Sequence, residues 1–263
     1  MILNLTLALP ESRKLCKIKG MRQISTFIYD QSEFDIRCEW GMGGVTHLLP
    51  HSEVFIIVDV LSFSTSVDIA FGNGAIVFPY QWKDESAADY AASLGAMLAG
   101  AGPENSHGYS LSPASLVGIP AGTRLVLPSP NGATLSLATG KIPTFAGCLR
   151  NAKAVAKMAQ NMGRRISVVP AGEKWEDGSM RPAIEDLIGA GAIITELEGR
   201  RSPEAEVAEA AYLALRSKLF DKLRNCSSGK ELVNRGRAKD VELAAALNKS
   251  GCAPVLNDGA YRT

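Results

Sequence analysis

The residues best placed for chemistry are acidic, and Asp59 is the most informative of them. It closes the apolar run Val54-Phe-Ile-Ile-Val-Asp-Val60. A carboxylate at the end of a buried strand is costly unless it meets a cation, a metal or capping N–H groups. Asp59 is therefore either a cap for the following turn or a working group. Glu185 and Asp186 fall in the first turns of a helix expected to open at Pro182. The helix macrodipole favours carboxylates there in any protein. Together with Asp59 they could also supply hard oxygen ligands to Mg2+, which takes one or two carboxylates and keeps several waters.

Three segments follow expected strands: Asp59–Ser66, Ser129–Thr134 and Ala171–Ser179. All are rich in small, hydroxyl or amide residues. Such loops beside helix N-termini offer the N–H and O–H donors that a phosphate needs, and Ser62, Ser64, Thr65, Ser129, Asn131 and Gly132 are the candidates. Plain turn formation is the alternative for each loop. The phosphate-loop, H-E-x-x-H and G-x-S-x-G patterns are absent. His47, His51 and His107 have no ligand-like spacing, and Gly41-Met-Gly-Gly44 reads as a turn. The pair Cys16 and Arg22 has the spacing of a thiolate phosphatase but no strand before it, so it carries nothing.

The elements that must position these residues alternate. Val54–Val60, Ala75–Tyr80, Thr123–Leu127, Thr144–Gly147 and Ile166–Pro170 read as strands, with a first strand at 24–29 and a last at 253–256. Continuous β-branched runs such as Val54–Val60 fit strands covered on both faces. Helices are expected over 67–71, from Asp84 to about Leu98, over 149–162, from Pro182, and over 203–224 behind the cap Ser202-Pro203. Ser227 or Ser228 is expected to cap another. This alternation predicts an α/β protein with a mostly parallel, mixed central sheet between two helical layers. Breakers are evenly spread, so residues 21–263 are expected to form one domain. Residues 1–20 are expected to be a loosely attached extension, the working chain starting near Met21.

Composition excludes several classes. Of 263 residues, 46% are apolar and 21% charged, so the chain is not a disordered one. Lys plus Arg total 28 against 27 acids, which leaves no basic excess for nucleic acid. The 5 cysteines are scattered, with no C-x-x-C, so reduced thiols and a cytoplasmic protein are expected. No stretch is long and apolar enough to span a membrane. A homodimer is expected from symmetry preferences alone.

Ile57-Val-Asp-Val-Leu61 with Ser64-Thr-Ser66 resembles the strand-and-turn signature of the 2-phosphosulfolactate phosphatases. The likeness continues, in family order, through 130–134, 147–155, 170–172, 183–187, 189–193, 228–232, 240–242 and 254–259. The resemblance implies a three-layer α/β/α fold and a Mg2+-dependent phosphatase that releases sulfolactate from 2-phosphosulfolactate. The positions that match are Asp59, Ser64, Thr65, Asn131, Gly132, Glu185 and Asp186. The mechanism expected with it is metal-assisted transfer of the phosphoryl group to water, with Asp59, Glu185 and Asp186 around the metal and Asp59 either a metal ligand, the favoured role, or a general base. An aspartyl-phosphate route lacks its second acid, since Leu61 stands there. Many family members carry Arg where this chain has Ser62, and Glu-Arg where it has Glu104-Asn105. Lys174 and Arg181 are the cations expected to substitute in binding an acidic substrate. The rival readings are a phosphatase of a different small ester and a phosphate-ligand-binding homologue without turnover.

Overall fold

The computed structural model describes residues 28–82, 84–100 and 108–262. The extension at 1–20, residues 24–27 of the first expected strand, Glu104, Asn105 and His107 lie outside them. In chain order the elements are β1 (Ile36–Cys38), α1 (Gly41–Leu48), β2 (Val54–Val58), α2 (Phe63–Gly72), β3 (Ile76–Tyr80), α3 (Ser86–Leu94), β4 (Met97–Leu98), β5 (Arg124–Pro128), α4 (Gly132–Ala138), β6 (Thr144–Gly147), α5 (Ala152–Met162), β7 (Ile166–Pro170), β8 (Glu173–Lys174), β9 (Met180–Arg181), α6 (Ile184–Thr195), α7 (Pro203–Leu215), α8 (Leu219–Asn225), α9 (Ser227–Asn234), α10 (Ala238–Ala244), β10 (Val255–Asn257) and β11 (Ala260–Tyr261).

Among the described residues nine strands form one sheet, in the order β1-β7-β2-β6-β10-β11-β3-β5-β4. β1, β7, β2 and β6 pair in parallel, as do β3, β5 and β4. The C-terminal hairpin β10–β11 lies between the two blocks and is antiparallel to its neighbour on each side. Asp258 and Gly259 make its two-residue turn, both at positive φ, as tight hairpins demand.

Side-chain alternation along the strands gives the three layers. Val54, Ile56 and Val58 of β2 pack in one cluster with α5, α6 and α7 residues; Phe55 and Ile57 pack in another with Val45, Leu48 and Leu135 from α1 and α4. In β3 and β5, Val77, Leu125 and Leu127 join the α2 residues Phe63, Val67 and Ala70, while Phe78 and Val126 meet Ala91 of α3. The expected α/β/α architecture with a mixed, mostly parallel sheet is the one observed.

Several local expectations are corrected. The cluster Gly41–Gly44 opens α1 and is not a turn. The hydroxyl run at 63–66 is already the first turn of α2. The helix after Asp84 stops at Leu94, because Gly95 takes a left-handed cap, and the chain then adds the edge strand β4. α6 begins at Ile184, two residues beyond Pro182. The expected long helix 203–224 breaks at a single tighter turn over Arg216–Lys218. α9 is capped by the Cys226 sulfur, which accepts from the Gly229 N–H at 3.3 Å, and not by a serine. Among the described residues no helix is long and apolar enough to cross a membrane.

Candidate active site

The exits of β2, β5 and β7 are joined by two buried carboxylates. Asp59, directly after β2, accepts the Phe63 N–H on Oδ1 at 3.1 Å and the Gly132 N–H on Oδ2 at 2.9 Å. It thereby caps α2 and ties the loop after β5 to the loop after β2. Asp186, in the first turn of α6, accepts the Val60 N–H at 2.8 Å and the Gly172 N–H at 3.0 Å. It ties α6 and the β7 exit to the same loop. Hydrogen-bonded carboxylates are how a fold tolerates charge at such buried strand ends.

At the expected phosphate cradle these backbone donors are already engaged. The N–H groups of residues 60, 63, 132 and 172 serve the protein's own carboxylates. Ser64 and Thr65 are fully buried; their hydroxyls donate to the Ile57 and Val60 carbonyls, so they fix the loop's shape. Ser62 is buried at the start of α2, after a cis Leu61–Ser62 peptide. Ser129 is buried, and its N–H donates to the Tyr80 carbonyl. Lys174 is exposed and pairs with Met180 across the β8–β9 ribbon, on the face opposite the neighbouring pair Glu173–Arg181. It points away from the acidic residues.

The structure does bring Asn131, Arg181, Glu185 and Asp186 towards Asp59, and it adds a residue the sequence reading missed. Glu173, two residues beyond Ala171, accepts from the Asn131 side-chain amide on Oε2 at 2.9 Å. Burial and the Asp59 carboxylate push its pKa up to about 7, against the pull of Asn131 and Arg181, with Glu185 adding to the rise. Nothing in the sequence separates Glu173 from Glu176 and Asp177 in the same loop. Arg181 lies over the Trp175 ring at 5.7 Å and donates to Ser228 Oγ at 3.2 Å, which places α9 at the same site.

Negative charge is in excess here. Burial first, then Asp59 and Glu185, holds Asp186 well above the usual carboxylate range. Burial and Glu185 push the Cys226 thiol up to about 12, so it stays protonated and a poor nucleophile. Glu185 is 2% exposed, and its Oε2 has no hydrogen-bond partner. An orphaned carboxylate oxygen among other carboxylates fits a hard cation. Among the described residues no three acidic, histidine or cysteine side chains form a ready cage. Mg2+ needs only one or two carboxylates, with waters filling its other positions.

The raised carboxyl groups make stability depend on pH. The Glu173 carboxyl titrates near 4.5 in the unfolded chain and about 7 in the fold. Between those values the folded state holds more protons, so stability falls as pH rises through that window. Metal-free protein is expected to melt about 2–10 °C lower above the window than below it, and Glu173→Gln should flatten the slope. A melting temperature that climbs between pH 5 and 7 would contradict this electrostatic picture.

A family model described as 2-phosphosulpholactate phosphatase matches residues 45–259. A 2-phosphosulfolactate phosphatase of Methanothermobacter thermautotrophicus is 34% identical over 211 residues, covering 79% of this chain and 88% of the relative. A "Probable 2-phosphosulfolactate phosphatase" of Carboxydothermus hydrogenoformans is 30% identical over 76% of this chain and 84% of its own length. The 2-phosphosulfolactate phosphatase of Methanocaldococcus jannaschii is 28% identical over 74% and 85%.

Proposed function

Because this chain belongs to the 2-phosphosulpholactate phosphatase family, we propose that it hydrolyses the phosphate ester of a small hydroxy acid, 2-phosphosulfolactate or a close relative, with Mg2+ as cofactor. The proposal includes a cytoplasmic homodimer. One observation carries it: Asp59, Glu173, Glu185 and Asp186 influence one another electrostatically where the loops meet α6, and Arg181 is the cation among them. A phosphate ester is itself dianionic, and one guanidinium cannot offset it and several carboxylates together. A divalent cation held by Glu185 and Asp59 resolves the imbalance.

Held by Glu185 and Asp59, Mg2+ would supply positive charge to offset the charge of the phosphate ester. The protein's own residues do the rest. Asp59 cannot swing, since two N–H groups from different helices hold its two oxygens. Asp186 keeps the β2 and β7 exits in register. Arg181, steadied by Ser228 and Trp175, presents its remaining N–H groups to the acid end of the substrate.

A panel of phosphate monoesters, with Mg2+ or with EDTA, tests this. Release of phosphate that depends on Mg2+ is the expected result; none from any ester would favour a binding protein without turnover. Turnover of other esters but not 2-phosphosulfolactate would favour a different substrate, a reading that Ser62 supports because a guanidinium is absent there. Arg181→Ala is expected to raise KM about 10–100-fold for phosphorylated acids and to leave KM nearly unchanged for an alkyl phosphate that carries no acid group besides the phosphate. Equal KM values for wild type and variant across the panel would remove Arg181 from substrate binding.

A further inference from the structure

The mechanism so far leaves the departing oxygen without a proton. Phosphate esters of hydroxy acids expel an alkoxide, a poor leaving group unless it is protonated as the bond breaks. Asp59 and Asp186 are badly suited to supply that proton. Each of their carboxylates accepts two backbone N–H groups, and both are buried. Glu173 differs in three ways. It sits on the β8–β9 ribbon directly opposite Arg181, so it shares a face with the guanidinium that the reading above assigns to the substrate's acid end. It is only partly buried. Its Oε2 is occupied by the Asn131 amide, which leaves Oε1 as the oxygen to carry a proton.

We propose that Glu173 is the general acid of the hydrolysis, giving its proton to the ester oxygen as the bond between that oxygen and phosphorus breaks. This rests on the phosphatase reading above. Water forms the new bond to phosphorus, and the proton it loses returns through solvent to Glu173. Ester and water thus become hydroxy acid and phosphate, and the acid is restored. The groups that face Glu173 are Asp59 from the β2 exit, Glu185 from α6, and Asn131 and Arg181. Burial weighs first and favours the protonated acid against the pull of the amide and the guanidinium, and protonated is the state a general acid must hold before it acts.

The test compares two leaving groups. An alkyl phosphate that the wild type hydrolyses needs the proton; p-nitrophenyl phosphate, whose phenolate departs unaided, does not. Glu173→Gln is expected to lower kcat on the alkyl ester by about 10²–10⁴-fold and on p-nitrophenyl phosphate by less than about 10-fold. The variant should also lose the alkaline limb of the kcat/KM profile. Asn131→Ala, which frees Oε2, should give a weaker version of the same split. Equal losses of Glu173→Gln on the two esters, or an unmoved limb, would overturn the assignment and leave the phosphatase reading standing. If the wild type hydrolyses no ester of the panel above, the phosphatase reading itself fails, and this inference with it.

Discussion

Glu185→Gln is expected to raise the melting temperature of the metal-free protein while removing most of its turnover. Glu185 is buried with an unpartnered oxygen, and its charge raises the pKa values of Asp186, Glu173 and Cys226 together. A single substitution therefore relieves repulsion at three neighbours. The amide is nearly isosteric and still polar, so the net gain is about 1–3 kcal/mol, equivalent to about 2–10 °C for a chain of this length. In the function proposed above the same carboxylate is a donor to Mg2+, and its loss is expected to lower kcat/KM by about 10²–10³-fold. Adding Mg2+ should stabilise the wild type by about 2.7 kcal/mol at a hundredfold excess over Kd and the variant by far less. Differential scanning fluorimetry with and without Mg2+ reads both effects. A variant that melts lower, keeps its turnover and still responds to Mg2+ would show that Glu185 is merely a helix-start acid.

Stability is thus traded for charge at this site, and the pattern explains which residues a linear reading can find. Asp59 stands out because it interrupts a hydrocarbon run, and a strand end needs the donors that Phe63 and Gly132 provide. Glu185 and Asp186 stand out as adjacent acids at a helix start. The sheet is legible because β2, β5, β6 and β7 are apolar runs of strand length, buried on both faces. What escapes is whatever depends on a partner far away in the chain. Lys174 and Arg181 look equivalent until the β8–β9 pairing puts them on opposite faces. Glu173 is one acid among three until Asn131, 42 positions upstream, binds it. Ser64 and Thr65 read as candidate ligand contacts in the sequence, whereas in the fold their hydroxyls turn towards the backbone of β2 and of the loop after it. The helix at 203–224 has the right periodicity throughout, and its break at Arg216–Lys218 leaves no mark that a 3.6-residue pattern would detect.

Gly132→Ala is expected to damage both the fold and the reaction, and the reason is close approach, not backbone conformation. A Cβ built at this position would lie 2.4 Å from Phe63 Cδ1 and 2.7 Å from Asp59 Oδ2. Neither neighbour can yield easily. Phe63 is wholly buried, its ring edge-on to Tyr261 at 6.2 Å, and Asp59 is held by the Phe63 N–H on its other oxygen. The loop after β5 must then move off the loop after β2, which breaks the bond from Gly132 to Asp59 and carries Asn131 away from Glu173. Overpacking of this kind costs about 1–3 kcal/mol, and the lost hydrogen bond to a charged group adds about 1.5–3 kcal/mol. A displacement near 1 Å at the reacting groups is worth about 10²-fold in rate. Gly43→Ala supplies the contrast. Gly43 is an exposed interior position of α1 where a Cβ meets nothing within 4 Å, so alanine there should stabilise by about 0.5–1 kcal/mol and leave kcat unchanged. If chemical denaturation and kinetics placed the two alanine variants together, the tight junction of Asp59, Phe63 and Gly132 would not be what holds the catalytic loops in place.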